Sequence, residues 1–485
     1  MSDTQAINKQ EQQLFFGILA LLFVYGFYGV LGTPSLLFFL LVIGSAFGLT
    51  VLYPRAGFLA LLVTTLFFER FFTLEPLVIG ETVLKLYPLD MLLGATFLGI
   101  LFSFREKQVI SRLDSSLGWL FAFFIYITYL FSISIGEQSN TSLAVAFSTW
   151  KQYVFYGGIA LMFPFLIREE KDLRVFAKVF LGGVALTVFF LFLGVVRGGG
   201  LWTEYTPLST SGTRFLAFPH AFYYSLALLS LLLSLPYWYK EKALRKGKVI
   251  FLWILALGVL GSLMRHLWLG IGGVLVMALL VRPKLYGKYF SKISLSFLVP
   301  LLTLTLLAWY LVSVFPNSDP SYDLERATNV VSERIISIGN ERDESLAWRG
   351  VVWESALKSF VEAPILGIGF GKSVPVELSD YQAYVEVRDM HNSWLALLIQ
   401  TGIIGILLLG GFVVTLLTQV SRKVFEGDYL ENIRRVLLGL LLFQALVFFS
   451  QPYLETNLLG IFFWLTLGLL RALLFVDTKS KEHGN

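Results

Sequence analysis

Cysteine is absent from the 485 residues of this chain, and charged residues are scarce. Without cysteine the chain can form neither disulfides nor thiolate metal sites, although this does not locate the protein in the cell. Charged residues make up 15% of the sequence and hydrophobic residues 56%, against about 25% and roughly 45–50% in soluble domains. Together with a mean hydropathy of +0.72, this balance predicts a polytopic integral membrane protein.

Long apolar runs of roughly 17–25 residues predict transmembrane helices. The run 56–72 ends in charged residues and the two runs within 248–281 are closely spaced, so these could be re-entrant. We therefore predict an all-α protein with about 14 (12–14) transmembrane helices. The runs lie near 14–32, 35–53, 56–72, 88–104, 116–135, 150–167, 175–196, 218–238, 248–264, 266–281, 293–315, 396–420, 435–452 and 457–475.

Lys and Arg residues determine the predicted orientation, because they accumulate on the cytoplasmic side of a membrane. With both termini inside, most of the 38 Lys and Arg residues lie in cytoplasmic connections, which also explains the net charge of +5. No nucleic-acid partner is needed. The N-terminus lacks a basic n-region and a cleavage site, so we expect it to be retained. The predicted order is a cytoplasmic tail (1–13), transmembrane helices 1–11 (14–315), a long periplasmic loop (316–392), transmembrane helices 12–14 (393–475) and a cytoplasmic tail (476–485).

The long loop contains a predicted amphipathic helix from Leu346 to Glu362. On a helical wheel, Arg349 falls on its apolar side together with Trp353. A guanidinium there must either snorkel past the helix end or meet an anion where water is scarce. Pro364 ends the helix, and the following GIGFGKS lacks the spacing of a Walker phosphate loop, so we predict a turn.

His391 stands just before the apolar run that follows the loop. We predict a helix that begins near Asp389, with His391 in its first turn. The positive end of the helix dipole and partial burial both disfavour an imidazolium. We therefore expect a neutral histidine that can act as a general base. The alternative is an interfacial or capping histidine without a chemical role.

Two further arginines lie at predicted external boundaries, Arg214 in the loop STSGTRFLAFPH and Arg265 between two spans. A charge at Arg265 is costly unless it has a partner or a water-filled cavity, whereas Arg214 could simply be solvated. Arginine binds phosphate oxygens bidentately, and each charge-assisted bond contributes roughly 1.5–3 kcal/mol. Since ATP is not expected outside the cell, an enzyme with these residues needs a pre-activated donor such as a lipid-linked diphosphate sugar.

The candidate residues belong to short motifs spread over about residues 200–475. Arg265 opens RHLWLG with Met264 before it, and His220 follows Phe-Pro after Arg214. The other motifs are Arg349-x3-Trp353 with Pro364-x2-Gly367-x-Gly369-x-Gly371, and His391-Asn392-x2-Leu395 with Gly402-x2-Gly405. In combination and in this order, they resemble the elements of the O-antigen ligase and polymerase superfamily, with Met264 in place of a serine and His220 in place of an asparagine.

The resemblance implies a GT-C-type glycosyltransferase of the bacterial inner membrane that uses undecaprenyl-diphosphate-linked glycans at the periplasmic face. Arg214 and Arg265 would bind the diphosphate, and Arg349 would support that site or the acceptor. His391 would activate the acceptor hydroxyl.

Three further residues, Trp353, Asn392 and His220, are expected to support the site. No cofactor is expected. The external segments contain no DxD pair, so we predict a metal-independent transfer with inversion at the anomeric carbon.

The first interpretation is an O-antigen ligase that acts on lipid A core in lipopolysaccharide or surface polysaccharide biosynthesis. A polymerase, with the growing glycan as acceptor, shares this chemistry and is not separated from a ligase by the sequence. A protein O-oligosaccharyltransferase is less favoured because the chain lacks an added C-terminal region. A lipid-linked oligosaccharide flippase is less favoured because it should have matched halves and polar residues through the membrane, whereas Lys178 is the only Lys or Arg predicted deep inside a span.

Overall fold

The computed structural model describes residues 2–31, 35–68, 77–79, 82–84, 87–103, 113–136, 143–191, 216, 218–239, 242–262, 264–292, 344–378, 383–387, 390–425 and 427–476. Its packing divides the chain into two compact units, each built from segments that are distant in sequence. Unit 1 contains Met1–Val184, Val351–Glu426 and Gln451–Asn485. Unit 2 contains Ala185–Gly350 and Gly427–Ser450.

The described elements are mainly helices. In chain order they are α1 (Ser2–Leu31), α2 (Leu36–Leu52), α3 (Pro54–Phe68), β1 (Leu77–Ile79), β2 (Thr82–Leu84), α4 (Pro88–Ser103), α5 (Ser116–Gly136), α6 (Leu143–Trp150), a π-helix (Lys151–Phe155), α7 (Gly158–Leu166), α8 (Glu170–Leu186), α9 (Phe218–Leu233), α10 (Leu235–Trp238), α11 (Lys242–Gly261), α12 (Arg265–Val281), α13 (Glu344–Glu362), β3 (Val374–Leu378), β4 (Ala383–Val387), α14 (Ser393–Arg422), α15 (Asp428–Val447) and α16 (Asn457–Leu473).

Helices coincide with the predicted apolar runs, apart from the run 293–315, which lies outside the described residues. Within the described ranges, four helices are long and apolar enough to cross a membrane, and six shorter apolar helices accompany them. These findings agree with a helical membrane protein, while the number of spans and the GT-C type stay predictions. The four long helices are Lys9–Gly29, Ser116–Gly136, Glu170–Leu191 and Ser393–Arg422.

Three local features differ from the predicted pattern. The helix α1 begins at Ser2, so residues 2–13 of the predicted tail are helical, while their cytoplasmic location stays a prediction. The predicted run 150–167 is divided into the π-helix and α7. Antiparallel hairpins add four short strands to the predicted all-α fold, and one of them, β3 with β4, lies inside the long loop.

The last helix, α16, packs closely against α7 in the core of unit 1. Trp464 is buried and donates a hydrogen bond from Nε1 to the carbonyl of Gln152 at 3.1 Å. A Cβ added at Gly468 would lie 3.1 Å from the carbonyl oxygen of Ile159. The absence of a side chain at Gly468 therefore allows the two helices to approach this closely.

Two buried cations were not singled out from the sequence. Lys151 and Arg471 are buried, and each pairs with a carboxylate. Lys178, which was predicted to lie deep in a span, lies within the candidate span Glu170–Leu191 with its side chain on the protein surface. The Lys151 Nζ lies 2.7 Å from Asp90 Oδ2, and Arg471 pairs with Asp114. Each pair is neutral overall, which is how proteins accommodate charge away from water.

Unit 2 packs α9 against α11 and α15, and α12 against α15. A Cβ added at Gly270 would lie 2.7 Å from Val447 Cγ1, so glycine allows α12 to approach α15. Trp268 Nε1 donates to the carbonyl of Val259 at 2.9 Å, which ties the start of α12 to the end of α11. Trp268 and Gly270 of RHLWLG thus hold the beginning of α12, where Arg265 lies, against α11 and α15.

Candidate functional site

The helix α13 carries the first candidate residues. The helix predicted from Leu346 to Glu362 is confirmed, and it begins two residues earlier, at Glu344. Trp353 is half-buried, and its Nε1 donates to the backbone carbonyl of Met390 at 2.8 Å. The Met390 side chain is itself buried. The backbone that leads into His391 is therefore fixed both to α13 and to the core of unit 1.

His391 lies just outside α14, which corrects the predicted helix start near Asp389. The helix begins at Ser393, because Asn392 acts as its N-cap. The Asn392 backbone is extended (φ −157°, ψ 105°), and its Oδ1 accepts hydrogen bonds from two first-turn N–H groups, both at 3.1 Å. Asn392 thus supports the site by fixing where the helix starts.

The backbone of His391 has φ 49°, and among the described residues no other non-glycine residue has a positive φ. Left-handed backbone costs of order 1–3 kcal/mol for such residues and persists only where the surroundings enforce it. Here the enforcing contacts are the anchored Met390 on one side and the Asn392 cap on the other. Strained residues of this kind cluster at active sites.

The helix α14 is interrupted at Gly402, where φ is 62° and ψ is −168°. The interruption frees backbone groups in an apolar helix, and the turn 363–369 binds them. Irregular backbone in a membrane protein requires such internal partners. The hydrogen bonds run from Ile368 N to Ile399 O (2.8 Å), from Gly369 N to Gln400 O (3.2 Å) and from Ile403 N to Pro364 O (2.9 Å).

The segment GIGFGKS forms a turn, as predicted. A Cβ at Gly367 would lie 2.5 Å from the Gly402 nitrogen, so only glycine allows the turn to reach the break in α14. Phe370 is buried, and its N–H donates to Ser134 Oγ at 3.0 Å, which ties the turn to α5. The turn has left-handed φ at Gly367 (75°), Gly369 (87°) and Gly371 (77°).

A polar cluster that sequence reasoning missed lies in unit 1 between the π-helix, α14 and the start of α16. Gln400 Nε2 donates to Glu455 Oε1 at 3.1 Å, and Gln152 Nε2 donates to the Glu455 backbone carbonyl. The signal in the sequence is the pair Lys151-Gln152 within an otherwise apolar run, because intramembrane polar residues are usually functional or paired.

The other candidate residues belong to unit 2. Arg265 is the half-buried first residue of α12, and the N-cap residue Met264 makes no side-chain cap bond. A guanidinium and a helix N-terminus both attract anions. His220 is fully buried in α9, with its ring stacked on Phe190 at 5.1 Å between centroids. Arg214 lies outside the described residues.

Arg349 is half-buried on α13, one helical turn before Trp353. This spacing places both side chains on one side of the helix, as the sequence predicted. Through the Trp353 hydrogen bond to Met390 and the Asn392 cap, the structure brings His391, Asn392 and Trp353 together in unit 1.

Residues 250–410 match the family model described as O-antigen ligase. This segment of the chain is similar to the O-antigen ligase family. The matched segment contains five of the candidate residues, and it confirms the resemblance to the O-antigen ligase and polymerase superfamily. They are Arg265, Arg349, Trp353, His391 and Asn392. A Haemophilus influenzae protein described as uncharacterized is 26% identical over 255 residues, which cover 50% of this chain. The chain spans 60% of the length of that relative.

Proposed function

We propose that this chain is a glycosyltransferase that moves a glycan from an undecaprenyl-diphosphate donor to an acceptor hydroxyl at the periplasmic face of the bacterial inner membrane. The family match supports a function of the O-antigen ligase or polymerase type. The observation that carries the proposal is the conformation of His391, a strained histidine held between an anchored residue and a helix cap.

In the proposed reaction, the imidazole of His391 removes the proton from the acceptor hydroxyl. The acceptor oxygen forms a bond to the anomeric carbon while the bond from that carbon to the diphosphate oxygen breaks. The bonding electrons leave with undecaprenyl diphosphate, and the configuration of the sugar is inverted. A positioned general base contributes roughly 10²–10⁴ to the rate of such a step.

Arginines would bind the diphosphate and stabilise the charge that develops on it. Arg265 is suited to this role, because the N-terminus of α12 adds its positive dipole end to the guanidinium charge. Arg214 would contribute to the same group and Arg349 would support the donor or the acceptor. Fixed charges of this kind lower the barrier because they require no reorganisation during the reaction.

A ligase that uses lipid A core is the first specific function we propose, because the matching family is described as O-antigen ligase. A polymerase would use the same residues with a growing glycan as the acceptor. The two functions differ only in the acceptor, and a product gel distinguishes them.

The test incubates purified protein with an undecaprenyl-diphosphate glycan, with and without lipid A core, and separates the products on a gel. We expect transfer to lipid A core by the wild type, no transfer by His391→Ala, and no effect of EDTA. Laddering of the donor alone would instead identify a polymerase. Donor binding without transfer to any acceptor would contradict an enzymatic function.

A further inference from the structure

A cationic helical segment follows α12 in unit 2. Residues 283–292 are helical, and Pro283 separates them from α12, because proline cannot continue a helix but is favoured in the first position of the next one. Lys284, Lys288 and Lys292 recur every four residues and therefore lie on one side of this segment. All three side chains are exposed. We call these three residues the lysine stripe.

The lysine stripe has no carboxylate to neutralise it. The sequence from Lys242 to Lys292 contains neither Asp nor Glu, and none of the three ammonium groups pairs with a carboxylate among the described residues. Like charges at this spacing repel one another. Exposed helices of unit 1 avoid such repulsion, since Arg174 pairs with Glu170 and Lys358 pairs with Glu354. The lysine stripe is therefore an uncompensated positive surface that favours an anionic partner.

The opposite side of the cationic segment is fixed to the core of unit 2. Tyr286 is buried, and its hydroxyl donates to the carbonyl of Leu233 at 3.2 Å. The rings of Tyr289 and Tyr239 lie 5.7 Å apart, and the guanidinium of Arg245 lies 5.3 Å from the Tyr239 ring. Tyrosines of this kind are enriched at the headgroup level of a membrane. The lysine stripe is thus held in place, and Arg245 brings a further cation to the same group of aromatic rings.

The first turn of α15 does not neutralise this end of unit 2, because three arginines share its Glu431. The Glu431 carboxylate lies 3.8 Å from Arg282, 2.5 Å from Arg434 and 3.8 Å from Arg435. Asp428 is the other acidic residue in this turn. The arginines and the lysine stripe together outnumber these two carboxylates, so the surface keeps a net positive charge.

Exposed apolar side chains of α12 lie directly before the lysine stripe. Val276, Leu280 and Val281 are 54%, 71% and 69% exposed, and contiguous apolar surface of this kind marks contact with a membrane or a partner. The helix α12 has 17 residues and is thus about 25 Å long, close to the roughly 30 Å of a hydrocarbon core. A helix of this length that crosses the membrane places Arg265 at one headgroup layer and Arg282 at the other.

We propose that the lysine stripe binds the headgroup phosphates of anionic phospholipids, in the leaflet opposite to Arg265. Lysine binds phosphate as a point charge, and the exposed side of α12 contacts the acyl chains of the same lipids. This combination fits a phospholipid better than a free phosphate, which has no apolar part. Anionic lipids attract basic segments at the cytoplasmic surface, which is the side that the sequence predicts for this end of α12. The inference does not depend on the proposed glycan transfer.

The test titrates the full chain in a neutral detergent with phosphatidylglycerol or phosphatidylcholine and counts bound lipids by native mass spectrometry. We expect phosphatidylglycerol to bind more tightly than phosphatidylcholine. Lys284→Gln/Lys288→Gln/Lys292→Gln should weaken the binding of phosphatidylglycerol at least about tenfold, since each cation near an anionic lipid surface contributes about fivefold. Arginine at the same three positions should keep the wild-type affinity, because the charges remain.

The matched control removes three exposed cations around the start of α8, which is predicted to lie on the same side of the membrane. The control variant is Arg168→Gln/Lys171→Gln/Arg174→Gln, and it loses the same charge as the glutamine variant of the lysine stripe. Two of these cations already have partners, because Lys171 pairs with Glu169 and Arg174 with Glu170. The affinity of the control for phosphatidylglycerol should therefore stay close to that of the wild type, and every variant should keep the wild-type melting temperature.

Four results would overturn the proposal. The first is wild-type affinity in the glutamine variant of the lysine stripe, and the second is equal binding of phosphatidylcholine and phosphatidylglycerol. An equal loss in the control variant would indicate attraction by net charge without a site. Equally tight competition by glycerol 3-phosphate, which lacks acyl chains, would indicate a plain anion site.

Discussion

At the scale of single residues, the proposed site depends on where α14 begins, which is Ser393 and not the predicted position near Asp389. The sequence places His391 inside a helix, where its backbone would be ordinary. In the structure Asn392 caps the helix instead, and His391 adopts φ 49° just before it. The conformation of the proposed base is therefore set by the neighbouring cap and by the Trp353 hydrogen bond to Met390.

The cap is testable by substitution of Asn392. Asn392→Ala removes the acceptor of two first-turn hydrogen bonds and should lower the free energy of unfolding by about 1 kcal/mol (0.5–2). Asn392→Ser keeps a capping oxygen and should be close to the wild type in stability. Thermal unfolding in detergent checks both variants, and equal melting temperatures for alanine and serine would argue against the cap.

Residue types and spacings were sufficient to select His391, Asn392, Trp353 and the arginines as candidates. The backbone conformation of His391 was not predicted, because the anchoring of Met390 depends on a contact with Trp353 of α13. The Asn392 cap, in contrast, is local, and an asparagine before an apolar run is a signal that could have placed the helix start. Sequence periodicity favours extending a helix through such a position, since it carries no information on which residue starts the helix.

At the scale of elements, the break in α14 and the glycine-rich turn form one structure. The turn supplies hydrogen-bond partners for backbone groups that Gly402 frees, and glycines at both places let the two backbones approach. The interruption thus fixes the glycine-rich turn against α14 within unit 1.

Gly402→Ala should destabilise the protein strongly. The added Cβ would lie 2.1 Å from the Ile365 carbonyl oxygen, and the φ of 62° with ψ of −168° is nearly restricted to glycine. We expect a loss of at least about 2 kcal/mol in the free energy of unfolding.

The matched control is Gly410→Ala in the same helix, where a Cβ would meet no atom within 4 Å. Alanine is the better helix former there, so we expect unchanged or slightly increased stability. Melting temperatures in detergent provide the comparison. Similar melting temperatures for the two alanine variants would contradict the proposed role of the break.

The helices themselves were predictable from hydropathy, because long apolar runs have few structures available to them in a membrane. The turn over GIGFGKS was predictable from its glycines. The break at Gly402 and the hairpin of β3 and β4 were not, because each depends on a partner segment that the sequence places elsewhere.

At the scale of the whole molecule, ion pairs and hydrogen bonds join helices of unit 1 that are far apart in sequence. Lys151 of the π-helix pairs with Asp90 of α4, and Tyr156 donates to the same carboxylate at 2.7 Å. Arg471 of α16 pairs with Asp114 ahead of α5. Composition does not indicate these ion pairs, since it contains no information about which distant residues are in contact.

Lys151→Met should be strongly destabilising, because it leaves Asp90 buried without its cation. Breaking a buried pair by removing one partner costs about 3–5 kcal/mol. The double variant Lys151→Met/Asp90→Asn should recover most of this loss, since the amide oxygen can still accept the hydrogen bond from Tyr156.

An exposed pair provides the comparison. Arg174→Gln breaks the pair with Glu170 on the surface of α8 and should change the free energy of unfolding by less than about 1 kcal/mol. Chemical or thermal unfolding in detergent measures all three variants. A double variant that is no more stable than Lys151→Met would show that the pair is not coupled.

The central claim is that His391 is the general base, and single-turnover transfer by His391→Asn and His391→Gly tests it most directly. Asparagine and glycine both tolerate a left-handed φ, so these variants keep the backbone that precedes the Asn392 cap while they remove the imidazole. We predict that both variants bind the lipid-diphosphate donor normally and that transfer is slowed by roughly 10²–10⁴. Transfer at a rate close to that of the wild type in either variant would contradict the assignment.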